Sequence, residues 1–360
     1  MLFAPAEHVP LAPHCTLGIG GPARFFVEAD DEQTVLAAFD WAKRRGLRFL
    51  VLGGGSNLLV ADAGVDALVV KTALRGISII EAQKMVEVTA AAGEPWDDVV
   101  RLTVARGWAG LECLSGIPGL VGATPIQNVG AYGQDVSDTA VSVRVFDTRT
   151  ADVTDLPSAG CGFRYRDSAF KSGEPGRYVV LAVRYRLVPG GPPTLRYAEV
   201  AGHVAARGIG APTVSDIRES VLAIRRSKSM VIEPGDPNRR SCGSFFTNPV
   251  LSQDEARRID EIVGDASMPR WMQPDGSVKL SAAWLIERAG FVRGTRDGAV
   301  GLSSRHTLAI VAHDGARASD VLRFARRLQG AVKTRFGATL TPEPVFWGFD
   351  DPREARPTVA

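Results

Sequence analysis

Apolar positions recur with two different periods along the chain. The segment up to Phe26 reads as β-rich, and DDEQTVLAAFDWAKRRG then predicts a helix, with acids in its first turn, apolar Val35, Leu36, Phe39 and Trp41 within it, and basic residues and Gly46 at its end. An apolar strand, Arg48 to Leu52, runs into GGGSN and a second apolar stretch. Between Ala67 and Gly93, LVV, ISII and VEVTAAAG are short, β-branched and punctuated by turns, which predicts several strands. A helical period returns over Trp96–Arg106. VSVRVFDTRTADVTDL reads as a hairpin, YVVLAVRYRLV as an alternating strand, and Val214–Ser227 as a helix opened by Thr213 or Ser215. Beyond a polar, proline-containing link the pattern changes. DEARRIDEIV and SAAWLIERAG predict amphipathic helices, HTLAIVAH a strand, and ASDVLRFARRLQGAVKTRFG a long helix with Val321, Leu322, Phe324, Leu328 and Val332 on one face. The tail, ATLTPEPVFWGF, is extended and is expected to complete an earlier sheet. A boundary falls near Lys228.

Length and composition narrow the class. At about 150 residues per domain, 360 residues imply two or three domains. Lysine plus arginine is 42 against 40 acids, a balance that excludes a binder relying on phosphate neutralisation, so no nucleic-acid partner is expected. Hydrophobic residues at 45% and charged residues at 23% exclude a disordered chain. No apolar run is long enough to span a bilayer, and MLFAPAEHVPLAPHC lacks a basic segment followed by a sustained apolar one, so a cytoplasmic protein without membrane partners is expected. Cys15, Cys113, Cys161 and Cys242 form no CxxC pair, so neither a disulfide framework nor a metal site is indicated. Gly 38 and Pro 22 imply many loops.

Two of those loops carry chemistry. GGGSN, Gly53 to Asn57, follows a strand, where residues without side chains let backbone N–H groups converge on an anion; it is neither GxGxxG nor a P-loop, and a plain tight turn is the competing reading. CLSGIPGLVGATPIQNVGAYGQ is too apolar for a linker and has the composition of a segment wrapped around something. The two loops together, with Gln127 and Asn128, suggest a dinucleotide. Other candidates look ordinary locally. Arg166 in an arginine-biased chain reads as a surface ion pair, Ser244 beside Gly243 as a turn residue, and Glu343 between prolines as a solvated acid. Only seven residues are lysine, which makes Lys228 and Lys279 stand out.

RFLVLGGGSNLLV, SGIPGLVGATPIQNVGAYGQDV, CGFRYRDSAFK, GSFFTNPV, VKLSAAWLIERAG and TLTPEPVF occur in an order that resembles the UDP-N-acetylenolpyruvoylglucosamine reductases. The resemblance runs from GGPARFFV to the tail. It implies an α+β protein with a vanillyl-alcohol-oxidase-type FAD-binding fold in two subdomains and a C-terminal substrate-binding domain. Residues 1–74, completed by the tail 337–360, would form the first FAD subdomain, 75–228 the second, and 229–336 the substrate domain.

It also implies an FAD-dependent oxidoreductase of peptidoglycan precursor synthesis that uses NADPH, acts on a small UDP-sugar and works as a monomer. Gly53, Gly54, Gly55, Ser56 and Asn57 would approach the FAD pyrophosphate, and Pro118, Gly119, Gly122, Ala123, Gln127, Asn128, Gly130 and Ala131 would line the rest of the cofactor. The flavin would be non-covalent, since His8, His14, His203, His306 and His313 all lie outside both loops. Arg166 would stabilise an enolate, Ser244 would donate a proton, and Glu343 would complete the catalytic set. Tyr165, Lys228, Asn248 and Lys279 would hold the sugar nucleotide. Tyr197 would close over it on a lid whose length, Val188 to Ile217, marks the longer-loop subtype. Three departures stand out: His306-Thr307 where the family carries an amide or His-Ala, PEP rather than PEV around Glu343, and a long spacer between Lys228 and Gly243.

Overall fold

The computed structural model describes residues 4–264 and 268–349. The proposed tail 337–360 is therefore described only to Phe349, and residues 1–3 and 265–267 also lie outside the described residues. Two compact units emerge. The first is built from Ala23–Gly54 and Asp66–Val231 with the start of the chain up to Val9; the second is built from Pro10–Pro22, Gly55–Val65 and the chain from Ile232 on.

Among the described residues the first unit holds a short two-stranded sheet, Gly130–Ala131 with Gln134–Asp135, and two larger ones. One has the order Ala6–Pro10, Pro22–Ala29, Val65–Thr72, Arg48–Leu52, the last two strands running parallel. The other is an antiparallel sheet ordered Asp152–Pro157, Ala140–Asp147, Tyr178–Pro189, Met85–Ala91, Ile77–Ala82, with Trp108–Ala109 added beside Tyr178–Pro189. Helix α1 (Glu32–Arg44) starts where Asp31 accepts a hydrogen bond from Thr34 N–H, which satisfies one orphan donor of the first turn. Its Phe39 ring meets Phe49 of one sheet and Phe146 of the other edge-on, at 5.5 and 5.2 Å, so this helix joins the two apolar faces. Helix α2 (Trp96–Ala105) buries Trp96, whose indole N–H donates to Leu114 O at 3.1 Å. Helix α3 (Ala198–Ala206) and helix α4 (Val214–Ser227) pack together, and a capping box settles Thr213, not Ser215, as the opening residue of α4.

The second unit has three small sheets. One is antiparallel, ordered Ser241–Ser244, Ala309–Ala312, Val300–Leu302, Arg296–Asp297. Another joins Val250–Leu251, Val278–Leu280 and Arg270–Met272. In the third, Val345–Trp347 returns in the tail to pair in parallel with Leu58–Val60. Around them lie α5 (Gln253–Val263), α6 (Ala282–Arg288) and α7 (Ala318–Phe336). The apolar stripe expected on α7 is the buried one: Val321, Leu322, Phe324, Leu328 and Val332 all enter the core. No described helix is long and apolar enough to cross a membrane. All four cysteines are free and buried.

Candidate active site

In the first unit the two glycine-rich loops meet. A Cβ on Gly54 would stand 2.8 Å from the Cα of Gly119, and one on Gly53 would touch the Ala123 methyl at 3.7 Å. A side chain at position 54 would force the loops apart, so glycine is required for the approach. The second loop is held from behind. Trp96 N–H donates to Gly119 O, Val121 N–H to Glu94 O and Gly122 N–H to Ala92 O, at 2.9–3.0 Å, while Thr124 Oγ1 lies 3.0 Å from the hydroxyl of fully buried Tyr185. Gly130 and Ala131 lead into a hairpin with Gln134 and Asp135, turned by Tyr132 and Gly133, both at positive φ.

Asn128 is buried, and its amide is engaged within the protein: Nδ2 donates to Ser137 Oγ and Arg164 O, and Oδ1 accepts from Ser137 N–H. Its side chain therefore holds the loop to Ser137 and Arg164. Gln127 and Pro118 lie part-buried on the same loop.

Tyr165 and Arg166 form the tip of a tight turn closed by the paired backbones of Arg164 and Asp167. From there Arg166 Nη2 donates to Gly130 O at 2.7 Å, with its guanidinium 5.6 Å from the Tyr165 ring. Arg166 thus points to the second glycine loop and is no stray surface cation. Its φ of 54° is costly for a residue with a Cβ, and it is not alone. Six described non-glycine residues have positive φ, and four of them, Asn128, Tyr132, Arg166 and Ser229, lie on or beside the segments singled out from sequence.

Sequence reasoning passed over Arg225. It is buried, bonded to Tyr132 and through Nη2 to Met230 O at 2.7 Å, while its Nε atom has no hydrogen-bond partner. Burial lowers its pKa, the Tyr132 and Asp97 side chains counter that, and Arg166 adds to it. The signal was available: α4 buries Ile217, Val221 and Ile224, and Arg225, four residues after Val221, falls on that apolar face. Burial likewise pushes the Tyr132 hydroxyl up to about 12 and raises Tyr197, so both are neutral donors at pH 7. Their rings meet edge-on at 5.4 Å. Lys228, the residue after α4, is paired with Glu199 of α3 at 2.7 Å.

The second unit gathers a different set. Gly55 has φ +60°, and a Cβ there would lie 1.9 Å from His14 O; Thr16 N–H donates to Gly55 O and Thr16 Oγ1 to Ser241 O. Asn57 Nδ2 donates to Glu343 O at 3.2 Å, and Val345 N–H to Asn57 O at 2.9 Å. Glu343 N–H donates to Phe245 O at 2.9 Å, beside Ser244 in the chain. Asn57 and Phe245, the residue after Ser244, thus both bond the main chain of Glu343, and Ser56 precedes Asn57 on its loop. Ser244 closes its strand just after an irregular register step at which Gly243 adopts φ +74°, a device that re-aims a side chain. The Cys242 thiol is pushed up to about 12 by burial and by the Glu343 charge, so it is no nucleophile.

Asn248 and Lys279 belong to another part of that unit. Asn248 Oδ1 accepts from Ala282 N–H at the start of α6, which engages the oxygen locally, while Lys279 lies opposite both Val250 and Trp271, its Nζ 5.7 Å from the Trp271 ring. At the departure from the family pattern, Thr307 is buried and its hydroxyl donates to Glu287 at 3.2 Å. No group of three potential metal ligands occurs among the described residues.

A family model described as FAD binding domain matches residues 23–156, which covers both glycine loops. The loops meet this requirement: their close approach, which any side chain at Gly54 would prevent, leaves main chain as the lining for an extended cofactor. The chain is therefore of the class of α+β FAD-binding proteins.

A second model, described as UDP-N-acetylenolpyruvoylglucosamine reductase, C-terminal domain, matches residues 236–347. The chain is 47% identical over 351 residues to the UDP-N-acetylenolpyruvoylglucosamine reductase of Thermobifida fusca, covering 95% of this chain and 98% of that one. Identity to the protein of the same name from Saccharopolyspora erythraea is 45%, with 95% of each chain covered. The crystal structure of the Thermus caldophilus enzyme superposes with a TM-score of 0.65 at 26% identity, covering 96% of this chain and all of that one. The chain belongs to the UDP-N-acetylenolpyruvoylglucosamine reductase family.

Proposed function

We propose that the protein reduces the enolpyruvyl ether of UDP-N-acetylglucosamine to UDP-N-acetylmuramate, with NADPH as donor and non-covalently held FAD as carrier, in cytoplasmic peptidoglycan precursor synthesis. The observation that carries this reading is the closure of the two glycine loops, Gly54 against Gly119, with Arg166 directed to the second of them through Gly130 O. Held by Gly53 to Asn57 and by the loop from Pro118 to Ala131, FAD would supply a two-electron relay between a nicotinamide and the enol-ether double bond.

The chain's own side chains then handle charge and protons. Hydride arriving at the terminal carbon of the substrate leaves an electron pair on the neighbouring carbon, delocalised into its carboxylate. Arg166 stabilises that enolate, since a guanidinium is planar, matches a carboxylate and keeps its proton at neutral pH. Ser244 Oγ–H protonates the carbon; a hydroxyl is a weak acid, but an enolate carbon is basic enough to take its proton. Glu343 orients the developing enol. Tyr165, Tyr197, Asn248 through its amide nitrogen, Lys228 and Lys279 hold the sugar nucleotide. For Lys228 this requires the diphosphate to compete with Glu199. The FAD-binding part would divide near residue 74 and give way to the substrate-binding part near residue 228.

NADPH and sugar nucleotide acting in turn predict ping-pong kinetics. In stopped flow, NADPH alone bleaches the flavin absorbance and the enolpyruvyl sugar nucleotide restores it; bleaching that requires bound sugar nucleotide first, or a colourless purified protein, overturns the reading.

A further inference from the structure

Glu112 has no role in the chemistry above, yet it is fully buried. Gly110 N–H donates to its Oε2 at 2.7 Å, while Thr194 N–H and Gln134 Nε2 donate to its Oε1 at 2.7 and 2.9 Å. Gln134, also buried, accepts from Cys113 N–H at 2.8 Å and reaches Thr194 Oγ1 at 2.9 Å. The Cys113 thiol, kept protonated by burial, donates to Thr194 O at 3.4 Å. All three polar groups of Thr194 are therefore held by residues about 60–80 positions earlier in the chain.

Those residues mark the two ends of the second glycine loop: Glu112 and Cys113 enter it and Gln134 leaves it. Thr194 opens the strap that carries Tyr197. Downstream, a Cβ on Gly133 would lie 3.1 Å from Arg196 Cβ, Tyr197 meets Tyr132, and Glu199 pairs with Lys228. The base of one loop and the root of the other thus share a single buried carboxylate.

We propose that Glu112, with Gln134 and Cys113, is a positioning unit that ties the Thr194–Glu199 strap to the base of the second glycine loop, so that placement of Tyr197 over the sugar nucleotide depends on Glu112. This rests on the proposed function for the role of Tyr197, but the tie itself does not. Glu112 receives N–H donors on both oxygens. Glutamine must turn its NH2 toward one of them, so Glu112→Gln loosens the strap with almost no change of volume.

The test uses the full-length flavoprotein and two readouts. Arg196, exposed in the strap, is a tryptic site, and Arg239 in the second unit is a reference site. In Glu112→Gln, cleavage after Arg196 rises about tenfold relative to cleavage after Arg239, KM for the enolpyruvyl sugar nucleotide rises about tenfold, kcat changes less than threefold, and flavin bleaching by NADPH keeps its rate. The KM effect vanishes in a Tyr197→Ala background. Unchanged cleavage after Arg196, or an equal KM rise with and without Tyr197, overturns the proposal. If Glu112→Gln fails to fold, Thr194→Val, which removes only the bond to Gln134 at a part-buried position, carries the same expectations at smaller amplitude. If the wild type does not turn over the sugar nucleotide, the functional reading falls, and the cleavage comparison alone decides whether the tie exists.

Discussion

The two units arrange their candidate residues by different physical means. The first works through main chain: glycines that admit a close approach, and non-glycine residues held in left-handed conformations at Asn128, Tyr132 and Arg166. The second works through register: a strand end places Ser244, and pairing of Phe245 with the tail brings Glu343 alongside. On the proposed function, the difference is what a large cofactor and a small reacting group respectively demand. A dinucleotide is gripped along its length by backbone, whereas one proton needs one hydroxyl at a fixed position.

Changes in the two units should therefore fail differently. The largest effect is expected from Ser244→Ala: product formation slows by about 10³-fold or more, while flavin bleaching by NADPH stays near wild type. Equal loss in both half-reactions, measured by stopped flow, would make Ser244 structural and erase the contrast. Arg166→Lys keeps the charge but loses the planar fork, and the second half-reaction alone should slow by about 10²-fold; a wild-type rate removes Arg166 from the chemistry.

Gly54→Ala sharpens the contrast from the other side. Its Cβ meets Gly119 Cα, a backbone atom that cannot swing away, and overpacking of this kind costs about 1–3 kcal/mol. Flavin affinity, measured by fluorescence on dilution, should fall tenfold or more, while turnover per bound flavin is preserved.

The smallest effect concerns stability. Asp62 accepts hydrogen bonds from the Ala318 and Ser319 N–H groups at the start of α7. Burial raises its carboxyl, but bonds from Ser319 and the Ala318 N–H together hold it below the ordinary value. A carboxyl lowered in the folded state contributes stability above its unfolded pKa, near 3.9, and loses it as pH falls through the folded value. Asp62→Ala should cost about 0.5–1 kcal/mol at pH 7, with the gap to wild type closing below about pH 4 in urea titrations. A gap independent of pH would mean that the carboxylate charge is irrelevant.

Much of the framework was legible because its signals are local. The acids of DDEQ announced α1, Thr213 or Ser215 announced α4, the stripe on α7 is buried as spaced, and the glycine loops declared themselves by composition. What sequence could not show depends on pairs far apart in the chain. Nothing near Thr194 points to Glu112, and nothing near Lys228 points to Glu199, the carboxylate that holds it. Nothing near Asn128 in sequence shows that its amide is engaged by Ser137 and Arg164. Arg225 was within reach of helical periodicity, yet an arginine on an apolar face is easily read as one more basic residue in an arginine-rich chain.

The chain leaves the first unit after Val9 and returns at Ala23, leaves it again inside GGGSN between Gly54 and Gly55, returns after Val65, and leaves for the last time at Val231. Neither unit is one continuous stretch. A fragment ending at Val231 would still carry Leu17 and Leu59, both fully buried in the second unit's core, and would have lost the helices and strands that cover them. Dissection by truncation should give sticky, insoluble pieces, and a shuffling event that moved the C-terminal portion alone would leave its core unfinished. The protein is in this sense indivisible, to be inherited or expressed whole.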